Sequence, residues 1–161
     1  MTGYRWLVYS VRVARIAYPF DPDDLQAKNP PFVQDLLELK RGGYVETISE
    51  ISKMVAALKE QGNESGFLKK LRGTPISELK SHSRGGQKGG ARVYLFEGVR
   101  SRDNIQVFFL CRAEWKPNDA PNQEMLEDTA YILAAVKDEK TVFPDRVKKR
   151  PPLIRTQGEE S

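Results

Sequence analysis

An α+β fold is predicted by three features of the sequence. A β-branched and aromatic run lies near the N-terminus, two consecutive apolar stripes follow at helical spacing, and three strand-like runs separated by turn-rich segments come after them. A further helical pattern follows, so the element order is strand, helix, helix, three strands, helix. The expected architecture is a small antiparallel sheet with an N-terminal helical hairpin packed on it and a C-terminal helix. In this arrangement the first strand pairs at the sheet edge and the helices lie on one face.

The elements follow in chain order. Residues 4–13 contain Trp6, Leu7, Val8, Tyr9, Val11 and Val13, types that favour a strand. Tyr18-Pro19-Phe20-Asp21-Pro22 breaks that pattern, and the polar, proline-bounded residues 25–31 read as a loop. Phe32, Val33, Leu36, Leu37 and Leu39 repeat at helical spacing up to Arg41, and Gly42-Gly43 stops the helix. Tyr44, Ile48, Ile51, Val55 and Leu58 are spaced 4, 3, 4 and 3, one apolar stripe that ends at Gly62. The short Gly-Gly connection makes the two helices a hairpin.

Residues 76–82, 92–96 and 105–111 read as a meander of three strands. The run Ile105, Val107, Phe108, Phe109, Leu110 is nearly continuous, which predicts a central strand covered on both faces. Met125, Leu126, Thr129, Ile132, Leu133 and Val136 predict a last helix ending near Lys137. Residues 1–138 are therefore expected to form one domain. Residues 139–161 hold Pro144, Pro151 and Pro152 without an apolar period and are expected to be a basic, flexible tail.

Composition bounds the function. The chain has 161 residues, a mean hydropathy of −0.56 and a net charge of +4, with a sequence pI near 9.2. Basic balance makes nucleic acid a plausible partner. No run approaches the length of a membrane span, and the N-terminus lacks an apolar stretch ending in a small-residue cleavage site, so a cytoplasmic location is expected. One cysteine, Cys111, and one histidine, His82, leave no intrachain disulfide and no zinc cluster; no metal and no cofactor are expected.

Chemistry concentrates between Leu79 and Phe96, a window with no acidic residue that holds Lys80, His82, Arg84, Lys88 and Arg92, with Tyr94. Alternation puts Glu78, Lys80 and His82 on one strand face and Arg92 and Tyr94 on one face of the next strand, with Leu79 and Val93 turned to the core. Such a face attracts phosphate, which arginine holds bidentately; a solvated hairpin has the same charge pattern. The glycine-rich loop from Arg84 to Gly90 lacks GK[ST] and opens no helix, so it is not a nucleoside-triphosphate loop. It either wraps a backbone phosphate or is disordered. His82 is a general base or an exposed strand-end residue. Arg112, Glu114 and Lys116 alternate after the third meander strand, Trp115 stacks on a base or caps the core, and Asp119 is expected to cap the turn before the last helix. Gln106-Val107-Phe108-Phe109-Leu110 loosely resembles a sliding-clamp-binding peptide, but core strand is the better reading. The tail segment 140–155 has six basic residues and one acidic residue, Asp145. It either reinforces nucleic-acid binding or has no specific role.

Three segments carry a family resemblance. Leu71-Arg72-Gly73-Thr74-Pro75-Ile76-Ser77-Glu78-Leu79-Lys80, Gly90-Ala91-Arg92-Val93-Tyr94, and Trp115-Lys116 with Asp119-Ala120-Pro121 resemble the RelE/HigB-type toxins of toxin–antitoxin systems. The strong part spans residues 67–137. The resemblance implies a RelE-like fold and a metal-independent mRNA endoribonuclease, ribosome-dependent or free, that inhibits translation. It implies a cognate antitoxin, mRNA and the ribosome as partners, and no membrane. Matched residue by residue, Lys80, Arg92 and Lys116 fall at family basic positions. With His82 they form the implied catalytic set, and Glu78, Arg84, Lys88, Tyr94 and Arg112 the implied substrate contacts. Lys80 and Arg92 would stabilise the phosphorane, His82 or Glu78 would take the 2′-proton, and Lys116 or Arg112 would aid the leaving oxygen. The superfold also hosts non-catalytic toxins, so binding to a replication protein such as gyrase or the sliding clamp is the alternative, and a basic RNA-binding module without toxicity is a third.

Overall fold

The computed structural model of the chain describes residues 6–11, 14–24, 26–81, 90–98 and 105–142. Strands β1 (Trp6–Val11) and β2 (Ala14–Pro19) precede helices α1 (Pro31–Arg41) and α2 (Val45–Gln61). Strands β3 (Leu68–Lys70), β4 (Ile76–Lys80), β5 (Gly90–Glu97) and β6 (Gln106–Lys116) follow, and then helix α3 (Gln123–Val142). The strands form one six-stranded sheet in the order β1-β2-β6-β5-β4-β3.

The α+β class stands, with three corrections. First, the N-terminal strand is a pair. β1 lies at the edge and is antiparallel to β2, a strand hidden in the sequence by its alanines and by Arg15 and formed because Ala14, Ile16 and Ala17 are fully buried. Tertiary burial overrides weak strand propensity there. Second, the sheet is mixed rather than antiparallel, because β2 runs parallel to β6 over Ala14–Ala17 against Gln106–Phe109. Third, the helices cover both faces. Phe32 of α1 and Ile51, Met54, Val55 and Leu58 of α2 pack on Ile16, Val93, Leu95, Phe108 and Leu110. Ile132, Leu133 and Val136 of α3 pack on the other side, against Ala17, Phe20, Phe96, Phe109 and Cys111. A strand that is apolar at consecutive positions, as β6 is at Phe108, Phe109 and Leu110, requires cover on both faces.

The hairpin of helices forms where expected. Proline begins α1, where a missing N–H costs nothing, and Gly43 takes a φ of +83° in the turn, a conformation glycine adopts without strain. Tyr44, the first residue of the predicted stripe, sits at the N-cap of α2 and is 43% exposed, so the buried stripe begins one turn later. β3 is an added edge strand, β6 continues five residues beyond its predicted end, and α3 runs past Lys137 to Val142. Among the described residues no helix is long and apolar enough to cross a membrane.

Candidate functional site

The predicted polar face exists, and strand register builds it. Glu78 lies opposite Tyr94 and Tyr94 opposite Arg112; Lys80 lies opposite Arg92 and Arg92 opposite Glu114; Gly90 lies opposite Lys116. Residues two apart share a face, so these rows stack on the α3 side, beyond the end of its apolar contact. Leu79 and Val93 point to the other core, as alternation requires. Gly90 is needed at the end of the sheet: its φ is +126°, and a Cβ there would lie 2.6 Å from Ser81 Oγ. The Ser81 hydroxyl in turn accepts the Ala91 N–H at 3.0 Å, fastening β4 to β5 beside the site.

The loop between β6 and α3 closes over these rows. Lys80 Nζ lies 3.1 Å from Asp119 Oδ1, and Arg92 Nη2 lies 3.3 Å from the same oxygen. Arg92 Nη2 also donates to the Asn118 carbonyl at 3.2 Å. Arg92 is 1% exposed, and its Nε is buried with no hydrogen-bond partner among the described residues. Asp119 is therefore a bridge between two cations. In the turn before α3, Asn118 Oδ1 accepts the Ala120 N–H at 3.0 Å, and α3 itself is capped by Asn122, whose Oδ1 accepts the Met125 N–H at 3.2 Å.

Tyr94 donates its hydroxyl to Glu114 Oε2 at 2.6 Å, and Asn122 Nδ2 donates to Glu114 Oε1 at 2.9 Å. Burial first, then the Glu114 hydrogen bond and charge, push the Tyr94 phenol well above its ordinary range, so it is neutral and a donor at physiological pH. Glu78 is 7% exposed and faces the phenol row, and its charge also raises Tyr94. Lys116 is half-buried at the end of the face, with no ion-pair partner among the described residues.

Arg112 is engaged elsewhere. Its Nε and Nη2 hold Asp35 of α1 bidentately at 2.7 and 3.0 Å, and its Nη1 bonds Asp128 of α3. Asp35 also accepts the Ala113 N–H at 2.9 Å, so α1 seals the part of β6 that β2 does not reach. Burial opposes the Arg112 charge, but its bonds and attraction to Asp35 and Asp128 outweigh it and raise its pKa. Beside it lies a cleft of about 180 Å³ lined by Asp21, Asp24, Asp35, Asp128 and Tyr131, among others. Four carboxylates against the single, already paired Arg112 make that cleft unfavourable for phosphate, in contrast to the Lys80–Arg92 face.

The structure thus brings together Glu78, Lys80, Arg92, Tyr94 and Lys116 and ties Arg112 to two helices. His82, Arg84 and Lys88, with the loop from Arg84 to Gly89, lie outside the described residues, as do residues 143–161 of the tail. Trp115 is 43% exposed and packs on Tyr44, with ring centroids 5.8 Å apart, rather than entering the core. Gln106 is 6% exposed and bonds Glu97, so the clamp-like segment is an interior strand. Sequence reasoning missed Asp35, Asp128 and Asn122, and nothing in local spacing marks them, since each acts through a partner on another element. Glu114 was visible as part of an alternating run, but its bond to Tyr94 was not. Among the described residues no group of three His, Cys, Asp or Glu side chains is placed to hold a metal ion. No protein-family model, curated protein or solved structure matches the chain.

Proposed function

We propose that the chain is a toxin of the RelE/HigB type, an endoribonuclease that cuts mRNA on the sheet face bearing Lys80, Arg92 and Lys116 and is held in check by a cognate antitoxin. The observation that carries this reading is the convergence of Lys80 and Arg92 on one oxyanion, at the positions that resemble the family's basic residues. A phosphate oxygen presents the same charge and hydrogen-bonding capacity as that carboxylate oxygen. The RelE-like arrangement is part of the proposal and is supported by the helical pair between the N-terminal strand pair and the later strands.

In the reaction an RNA 2′-oxygen attacks the adjacent phosphorus, the bond to the 5′-oxygen breaks, and a cyclic phosphate and a 5′-hydroxyl result. Lys80 and Arg92 stabilise the charge added to the phosphoryl oxygens. Glu78 takes the 2′-proton, since its buried carboxylate sits one row from both cations. Lys116 aids the leaving oxygen, because Arg112 is already bound by two carboxylates. Tyr94, kept neutral, gives its one O–H to Glu114 and so positions that carboxylate beside Arg92.

Induced expression with mapping of mRNA 5′ ends tests the reading. Growth arrest with new 5′-hydroxyl ends, lost in Arg92→Ala, is the expected result. Arrest without new ends would replace cleavage by binding to a target such as gyrase, and no arrest would remove the toxin reading.

A further inference from the structure

We propose that Asp119 is the resident occupant of a phosphate site formed by Lys80 and Arg92, and that an incoming RNA phosphate binds by displacing it. The inference deepens the function proposed above and rests on it for the identity of the ligand as RNA; the site itself is argued from geometry.

Two arginines of the same sheet provide the comparison. The edge of a guanidinium formed by Nε and Nη2 matches two oxygens of a carboxylate or phosphate. Arg112 uses that edge fully, at 2.7 and 3.0 Å to the two oxygens of Asp35. Arg92 uses only half of it: Nη2 contacts Asp119 Oδ1 at 3.3 Å and the Asn118 carbonyl at 3.2 Å, while Nε is buried without a partner among the described residues. A buried unpaired donor is costly and is uncommon in a finished structure. A tetrahedral phosphate fits this edge with two oxygens and offers a third to Lys80.

Mobility is distributed to suit exchange. The Asp119 side chain is 54% exposed and Arg92 1%, so the carboxylate can swing into water while the cation stays in place. Asp119 is carried on a surface turn between Pro117 and Pro121, in which Asn118 Oδ1 accepts the Ala120 N–H at 3.0 Å. Charge agrees. Among the described residues of this face Lys80, Arg92 and Lys116 are balanced by Glu78, Glu114 and Asp119, and withdrawing Asp119 leaves one positive charge where the phosphate arrives.

The test uses the full chain and inorganic phosphate, followed by calorimetry and thermal melting. Asp119→Asn should melt below the parent without phosphate, bind phosphate about tenfold more tightly than the parent, and recover more melting temperature from it. Adding Lys80→Ala to Asp119→Asn should remove most of the gain. Equal phosphate affinity in parent and Asp119→Asn would overturn the proposal. Should Asp119→Asn not fold, the parent decides. A saturable shift of the Arg92 Nε–H resonance with phosphate is expected, and an Arg92 resonance indifferent to phosphate overturns the proposal. The two readings separate cleanly. Tight phosphate binding in Asp119→Asn without new mRNA ends keeps the site and removes the ribonuclease, whereas mRNA cleavage with unchanged phosphate affinity removes the displaced carboxylate and keeps the ribonuclease.

Discussion

Arg112 and Arg92 sit on neighbouring strands of one sheet, in adjacent rows, and do opposite work. Arg112 spends its donors on Asp35 and Asp128 and so joins α1, β6 and α3. Arg92 is more deeply buried yet less completely bonded, and its partners come from one surface loop. The difference teaches that burial and saturation are separate properties. A buried arginine with each of its three nitrogens bonded is part of the frame, and one with a buried nitrogen in reserve is where a ligand has something to gain.

The largest effect should come from the frame. Arg112→Ala leaves Asp35 facing the β6 backbone with no cation and should cost about 3–5 kcal/mol, the usual loss when one member of a largely buried pair is removed. A shift of the urea midpoint measures it, and a midpoint close to the parent's would break the contrast. Arg112→Lys should recover little of it, because an ammonium cannot span both oxygens of Asp35.

Next comes Tyr94→Phe, which removes the 2.6 Å bond to Glu114 and should cost about 1–3 kcal/mol at pH 7. Its pH dependence sharpens the point. The folded phenol titrates above its unfolded value of 10.0, so its contribution is complete below pH 10 and is lost as pH rises beyond it. The parent should therefore lose stability above pH 10 more steeply than Tyr94→Phe, and parallel alkaline limbs would show that burial does not hold the proton.

The smallest stability effect is expected at Lys80. Its pair with Asp119 is partly exposed on both sides, so Lys80→Ala should change stability by less than about 1 kcal/mol. Its effect should instead appear in RNA binding, where loss of one phosphate contact flattens the salt dependence by roughly one unit of slope. A large loss of stability with an unchanged slope would make Lys80 part of the frame and erase the distinction from Arg112.

Local pattern made much of this legible. Ile51, Val55 and Leu58 were visible as a stripe because each faces the same core, and Glu78, Lys80, Arg92 and Tyr94 were visible as one face because alternation is a property of the strand itself. Features that depend on distant partners were not. The burial of Ala14, Ile16 and Ala17 depends on β6 and on both helical layers, and alternation does not say on which side of the sheet α3 will lie. Asp35 and Arg112 are separated by most of the chain, and Asp119 reads as a turn residue until the loop is seen lying across β4 and β5. In each case the deciding interaction is between elements, where sequence spacing carries no signal.

The parallel pairing of β2 with β6 has a consequence in time. Ala17 and Phe109 are about 90 residues apart, so their pairing requires closure of a long chain segment. During synthesis at about 5–20 residues per second, β2 waits several seconds for its neighbour to be made. The first strand pair and the helical hairpin can emerge early, but the sheet is not joined until β6 leaves the ribosome, and the loop carrying Asp119 follows later still. A nascent chain interrupted before residue 106 therefore lacks both the joined sheet and the convergence of Lys80 with Arg92 and Asp119. Whatever chemistry that face performs is withheld until translation of the domain is nearly complete.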